Sequence, residues 1–155
     1  MSMNFNAVAK QNIPNIGEVF GCVFGDETRR FIIPDGPSFK WTPEVDIEQF
    51  ANPDYRPELE INLSNCNMCM VLRDTLGLNG DSSEGFFVEI DVFINLATNW
   101  LKRNFGKQSA EVESTQDGRV VECGRREGYE NQAIHRMVKV AREGRERGAT
   151  HISAM

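Results

Sequence analysis

No stretch of this 155-residue chain approaches the roughly 18 consecutive apolar residues that a membrane-spanning helix requires, so a membrane partner is not expected. Its start, MSMNFNAVAK, lacks the basic segment, apolar run and small-residue cleavage site of a secretory signal, which makes a reducing cytoplasm the expected location. Positive charge is in short supply. The 17 Lys and Arg stand against 23 Asp and Glu, a net of −6, whereas neutralising a phosphate backbone needs the opposite surplus, so no nucleic-acid partner is expected. Proline does not occur after Pro57, and the only histidines are His135 and His151. Also missing are a glycine-rich phosphate loop, a G-x-S-x-G elbow and a Cys-His-Asp order. No catalytic residue and no cofactor is therefore assigned, and a non-enzyme is favoured.

What is present is an acidic but otherwise ordinary globular composition, with 40% hydrophobic and 26% charged residues, long enough to bury one core without disulfides or metal. Charge is unevenly placed. Between Arg125 and Arg147 seven Arg and Lys face four Asp and Glu, a net of +3 that leaves −9 on the rest of the chain. A basic terminal helix partly neutralised by an acidic body is the reading preferred over a nucleic-acid surface, since no aromatics interleave with those arginines.

Residues 1–16 are polar and asparagine-rich and are expected to form a flexible or lightly docked arm, leaving 17–155 as a single α+β domain. From Gly17 to Ile33 the pattern reads as a hairpin with a turn at Gly25 and Asp26, stopped by Pro34-Asp35-Gly36-Pro37. Residues 35–57 carry four of the six prolines and read as a long irregular connection pinned by Trp41, Phe50 and Tyr55, with a short helix allowed over 43–51. Leu59, Ile61 and Leu63 alternate with Glu60, Asn62 and Ser64, as in a strand buried on one face. The period then switches to that of a helix through Met68, Cys69, Leu72 and Leu76, with Ser64 or Asn65 as N-cap and Gly77 as the left-handed stop.

Phe86 to Phe105 predicts a helix whose inner face holds Ile90, Phe93, Ile94, Ala97, Trp100, Leu101 and Phe105. Val92 and Leu96 fall off that face, so a second burial surface or a partner is expected to cover them. Ala110 to Arg125 reads as a second hairpin around Gln116-Asp117-Gly118. Gly128 to Arg147 reads as the last helix, buried through Ala133, Ile134, Met137, Val138, Val140 and Ala141 and ended by Gly148, and the terminal THISAM as a short strand. The whole predicts an α+β fold: a mainly antiparallel sheet from two hairpins plus one strand, with three principal helices packed on it.

Candidate sites are few. Strand, Cys66-x-x-Cys69, helix is the order of a thiol oxidoreductase, but that fold needs a later proline, and Cys69 points with Leu72 and Leu76 toward the core, so packing is preferred. A zinc site completed by Cys22, Cys123, His135 or His151 lacks a second close ligand pair, and no metal ligand is assigned. His135 projects with Arg136 and Lys139 to solvent, and Glu89 with Asp91 would diverge on a helix. The loop at 79–84 has the composition of a calcium loop without its ligand spacing. The best ligand-binding candidates are Asn65 and Asn67 at the strand-to-helix junction, with Arg125, Arg126 and Tyr129 at the entry to the last helix, where an anion could meet Arg side chains and helix amides.

Ser64-Asn65-Cys66-Asn67 followed by Leu76-Gly77-Leu78, and Gly124-Arg125 followed by Gly128-Tyr129 before a long terminal helix, resemble a loosely defined group of small bacterial and phage proteins of unknown function. The likeness spans about residues 58–155. It implies a bacterial or phage-encoded cytoplasmic protein and no particular activity. Small residues stand in that pattern at Cys66 and Cys69, which implies that the cysteines are this chain's own variation. Together these features favour a non-enzymatic accessory protein that binds a protein partner, itself or another, and modulates a host or cellular factor. The alternative is a small ligand-binding protein or enzyme with its site between the Ser64–Asn67 junction and the Arg125–Tyr129 turn.

Overall fold

The structure, a computed structural model, describes residues 1–13, 17–24, 32–35, 38–41, 56–104 and 128–155. Its centre is β1, Ser2–Ile13, the segment whose composition suggested a loose arm. β1 is instead the longest strand described and the hub of the sheet. β7, His151–Ala154, pairs with Phe5 to Val8 on one edge. Because β5, Ile61–Ser64, also claims Phe5, and β2, Gly17–Cys22, also claims Val8, both must lie on the opposite edge, end to end. The alternation was present in Met3, Phe5 and Ala7, but asparagines between them have weak β propensity, and only pairing along both edges fixes the strand.

Every pairing is antiparallel. The sheet runs β4, β3, β2, β1, β7, β6, with β5 as an additional partner of β1. The two strands of the first predicted hairpin pair antiparallel as β2 and β3, Ile32–Asp35, which meet at Phe20 and Ile32; its turn at Gly25 and Asp26 lies outside the described residues. The Pro34-Asp35-Gly36-Pro37 sequence does not stop the sheet. β3 pairs antiparallel with β4, Ser38–Trp41, with Asp35 opposite Ser38, so part of the supposed irregular connection is strand. The second hairpin at 110–125, the short helix at 43–51, and Phe50, Tyr55, Phe105 and Cys123 lie outside the described residues.

Three helical segments follow. α1, Asn65–Cys69, continues without a break as a π-helix over Met70–Thr75, and Gly77 at φ +77° ends it as expected. The widened winding shows in Leu76 N–H donating to Val71 O, five residues back, at 3.1 Å. The long helix read from Phe86 begins later: Phe86–Glu89 is β6, paired with β7, and α2 spans Ile90–Arg103. Phe86, Phe87 and Val88 suit a pleated surface, and Ile90 N–H donates across to Thr150 O at 2.9 Å, fixing the strand-to-helix turn. α3, Tyr129–Glu146, buries the expected face from Ala133 to Ala141 and ends before Gly148 at φ +90°.

The helices cover one face of the sheet. Met3, Phe5, Ala7, Ile61, Phe86, Ile152 and Ala154 face them and join Met68, Leu72, Phe93, Ile134 and Met137 in one apolar core. α3 comes very close to β1 at Gly144, where an added Cβ would collide with the Ala7 Cβ. The α+β class and antiparallel sheet are as the sequence predicts. The basic helix also meets acid: Arg145 Nη1 lies 2.8 Å from Asp91 Oδ1 on α2.

Candidate functional site

The junction between β5 and α1 is built as its residue types require. Ser64 is the N-cap, its Oγ accepting from Asn67 N–H at 3.2 Å. Asn65 N–H donates to Met1 O at 3.2 Å, and the Asn62 amide donates to Ser2 Oγ at 3.2 Å and to Asn4 Oδ1, so the junction is tied to the start of β1. Asn67 is buried. Asn65 keeps its Oδ1 buried without a hydrogen-bond partner.

Beside Asn65 opens a cleft of about 300 Å³. One wall is the helix, through Cys66, Cys69, Met70 and Arg73; Asp81 and Ser82 stand opposite. Cys66 is exposed and Cys69 buried. Desolvation pushes the Cys69 thiol up from its ordinary value, partly opposed by the charge of Arg73. Arg73 Nε lies 2.9 Å from Asp74 Oδ1. Asp81 Oδ1 accepts from Ser83 N–H at 2.8 Å, Ser83 Oγ at 2.8 Å and Glu84 N–H at 2.7 Å, which hold its carboxyl below the usual range. Its hydrogen bonds fold the loop rather than form a calcium cage. Among the described residues no three His, Cys, Asp or Glu side chains converge as metal ligands.

The residues singled out from sequence are only partly brought together. Asn65 lines the cleft, whereas Asn67 is turned into the protein and Tyr129, half-buried at the start of α3, packs against the main core. Arg125 and Arg126 lie outside the described residues. Val92 and Leu96 stand on the outer flank of α2, 44% and 38% exposed, and apart from Met1 they are the exposed large apolar side chains of the described chain. His135 is exposed, as its helix position predicts.

Two groupings were overlooked in the sequence. Cys66, Cys69, Met70 and Arg73 follow the spacing of one helical face, which makes them neighbours on one wall, but attention to the cysteines alone hides it. The other lies on the sheet face away from the helices. There the His151 ring stacks on Phe87 at 4.6 Å and 9°, Phe20 meets both rings edge-on, and Val8, Cys22, Asn6 and Ser153 are buried nearby. These residues come from four strands, and only the register joins them.

No family model matches the chain, and neither does any curated protein or solved structure. Among the described residues no helix is long and apolar enough to cross a membrane.

Proposed function

We propose that this is a non-enzymatic accessory protein of bacterial or phage origin, working in the cytoplasm by binding a protein partner, itself or a host or cellular factor, along the outer flank of α2. The observation that carries the reading is the exposure of Val92 and Leu96 one turn apart on a helix whose other large apolar side chains are buried or half-buried. Covering both would remove from water apolar surface worth on the order of 1–3 kcal/mol after discounting what is already shielded. Asn95, Asn99 and Arg103 flank the pair as exposed polar residues, the arrangement of an apolar centre inside a polar rim.

The test is the Val92→Ala, Leu96→Ala double variant, read by solution mass and by partner capture. Both side chains are exposed, so folding should be little changed, and a weakening of association by about tenfold or more is expected. Unchanged assembly together with unchanged capture removes this reading.

A further inference from the structure

The geometry points to the helix wall formed by Cys66, Cys69 and Met70 as a binding site for a soft monovalent metal ion of the Cu(I) type. Three sulfur-bearing side chains from the α-helical turn at 66–70 line one cleft. At about 100° per residue Cys66, Cys69 and Met70 occupy an arc of about 100°, so they address the same space. The Met70 sulfur is located by Thr75, whose Oγ1 donates to it at 3.5 Å.

A disulfide is the obvious competing use of the two thiols, but both are free here and both lie inside the helix, after its Ser64 N-cap, rather than at the cap itself. Side chains three apart on a helix hold their Cβ atoms about 5–6 Å apart, against about 3.5–4.5 Å in a disulfide. Two sulfurs bound at about 2.3 Å to one three-coordinate ion lie about 4 Å apart, well beyond the disulfide bond length of about 2.05 Å, so a shared ion suits the helix spacing better than a disulfide. Ligand chemistry then chooses the ion. Thioether and thiolate together select a soft centre, whereas structural zinc takes four ligands, and among the described residues the pair forms no cluster of three or more His, Cys, Asp or Glu able to hold an ion; the Asp81 carboxylate in the same cleft is already engaged by Ser83 and Glu84.

Charge fits as well. Binding releases one proton from each thiol to solvent and leaves a bis-thiolate complex with one net negative charge. The Arg73–Asp74 ion pair on the same wall is close to neutral as a unit, which leaves the Asp81 carboxylate across the cleft as the charge that draws a cation in. The site belongs to this chain's own cysteines and is independent of the α2 flank.

Anaerobic titration of the full chain with Cu(I), in competition with a chromophoric Cu(I) chelator, tests the assignment. One equivalent is expected to be withdrawn from the chelator. Cys66→Ser, at an exposed position, should lower affinity at least 100-fold with an unchanged circular dichroism spectrum, and Met70→Leu should lower it about tenfold. Cys123→Ala should leave the single equivalent in place. Failure to compete, or uptake that survives Cys66→Ser undiminished, overturns the site, as does equally tight retention of Zn(II).

Discussion

The two faces of the sheet are built from the same strands in opposite ways. Toward the helices, β1 offers Met3, Phe5 and Ala7, and every neighbour in register adds another apolar side chain. Away from them it offers Asn4, Asn6, Val8 and Lys10, beside Ser153, His151 and Phe87. The first face is a conventional dry core. The second is a small patch in which polar atoms are buried among aromatic rings, and one of them, Asn6 Oδ1, has no hydrogen-bond partner. The difference shows that strand periodicity assigns side chains to faces but does not say which face will be covered. In β1 the even-numbered residues look like a solvated surface, and Asn6 is nevertheless only 5% exposed.

The sharpest way to test this contrast is to truncate the core face. Phe5 is fully buried, with its ring 5.2 Å from that of Phe93. Phe5→Ala should cost about 3–5 kcal/mol in denaturant unfolding, enough to threaten folding of a domain of this size. Gly144→Ala should cost about 1–3 kcal/mol, because the new methyl group collides with Ala7 and α3 must lift from β1. A thermal melt no lower than that of the parent would show that this helix contact is looser than described.

The opposite face should respond to pH before it responds to truncation. Desolvation against Phe20 and Phe87 lowers the His151 pKa below its ordinary 6.5, with nearby Lys10 in the same direction and Glu89 opposing both. The unfolded chain then holds the proton at a pH where the folded one does not. This contribution is complete above about pH 6.5, falls as pH drops through the window down to the lowered folded value, and is flat beneath it. His151→Phe should remove that slope in stability measured from pH 7.5 to 5, and an unchanged slope would assign it to other groups. The smallest effect belongs to Asn6→Val. Removing a buried unpaired carbonyl while favouring β structure should change stability by no more than about 1 kcal/mol in either direction, far below the Phe5 effect. A large loss would mean that the Asn6 side chain has a role its present contacts do not reveal.

The junction at Ser64 and both helix stops were legible in the sequence because caps are local chemistry: a hydroxyl satisfies a free amide, and a glycine accepts φ > 0. The inner faces of α2 and α3, and the exposed pair Val92 and Leu96, were legible because a 3.6-residue period needs no knowledge of the partner. The start of α2 was not, since Phe86 and Phe87 suit either state and only β7 selects strand. In the candidate cleft the spacing of Cys66, Cys69 and Met70 held the grouping that the packing reading of the cysteines passed over, while Asp81 and Ser82 arrive from a loop whose position no local rule fixes.

By itself, then, the sequence determined the buried faces of the helices, the Ser64 cap, the glycine stops and the terminal strand, because each depends on residues within a few positions of one another. Tertiary structure alone made residues 2–13 the central strand, β6 a strand, and a ring cluster of Phe20, Phe87 and His151. A strand has no internal hydrogen bonds. Its existence depends on edges supplied from elsewhere in the chain, here from residues as distant as 151–154.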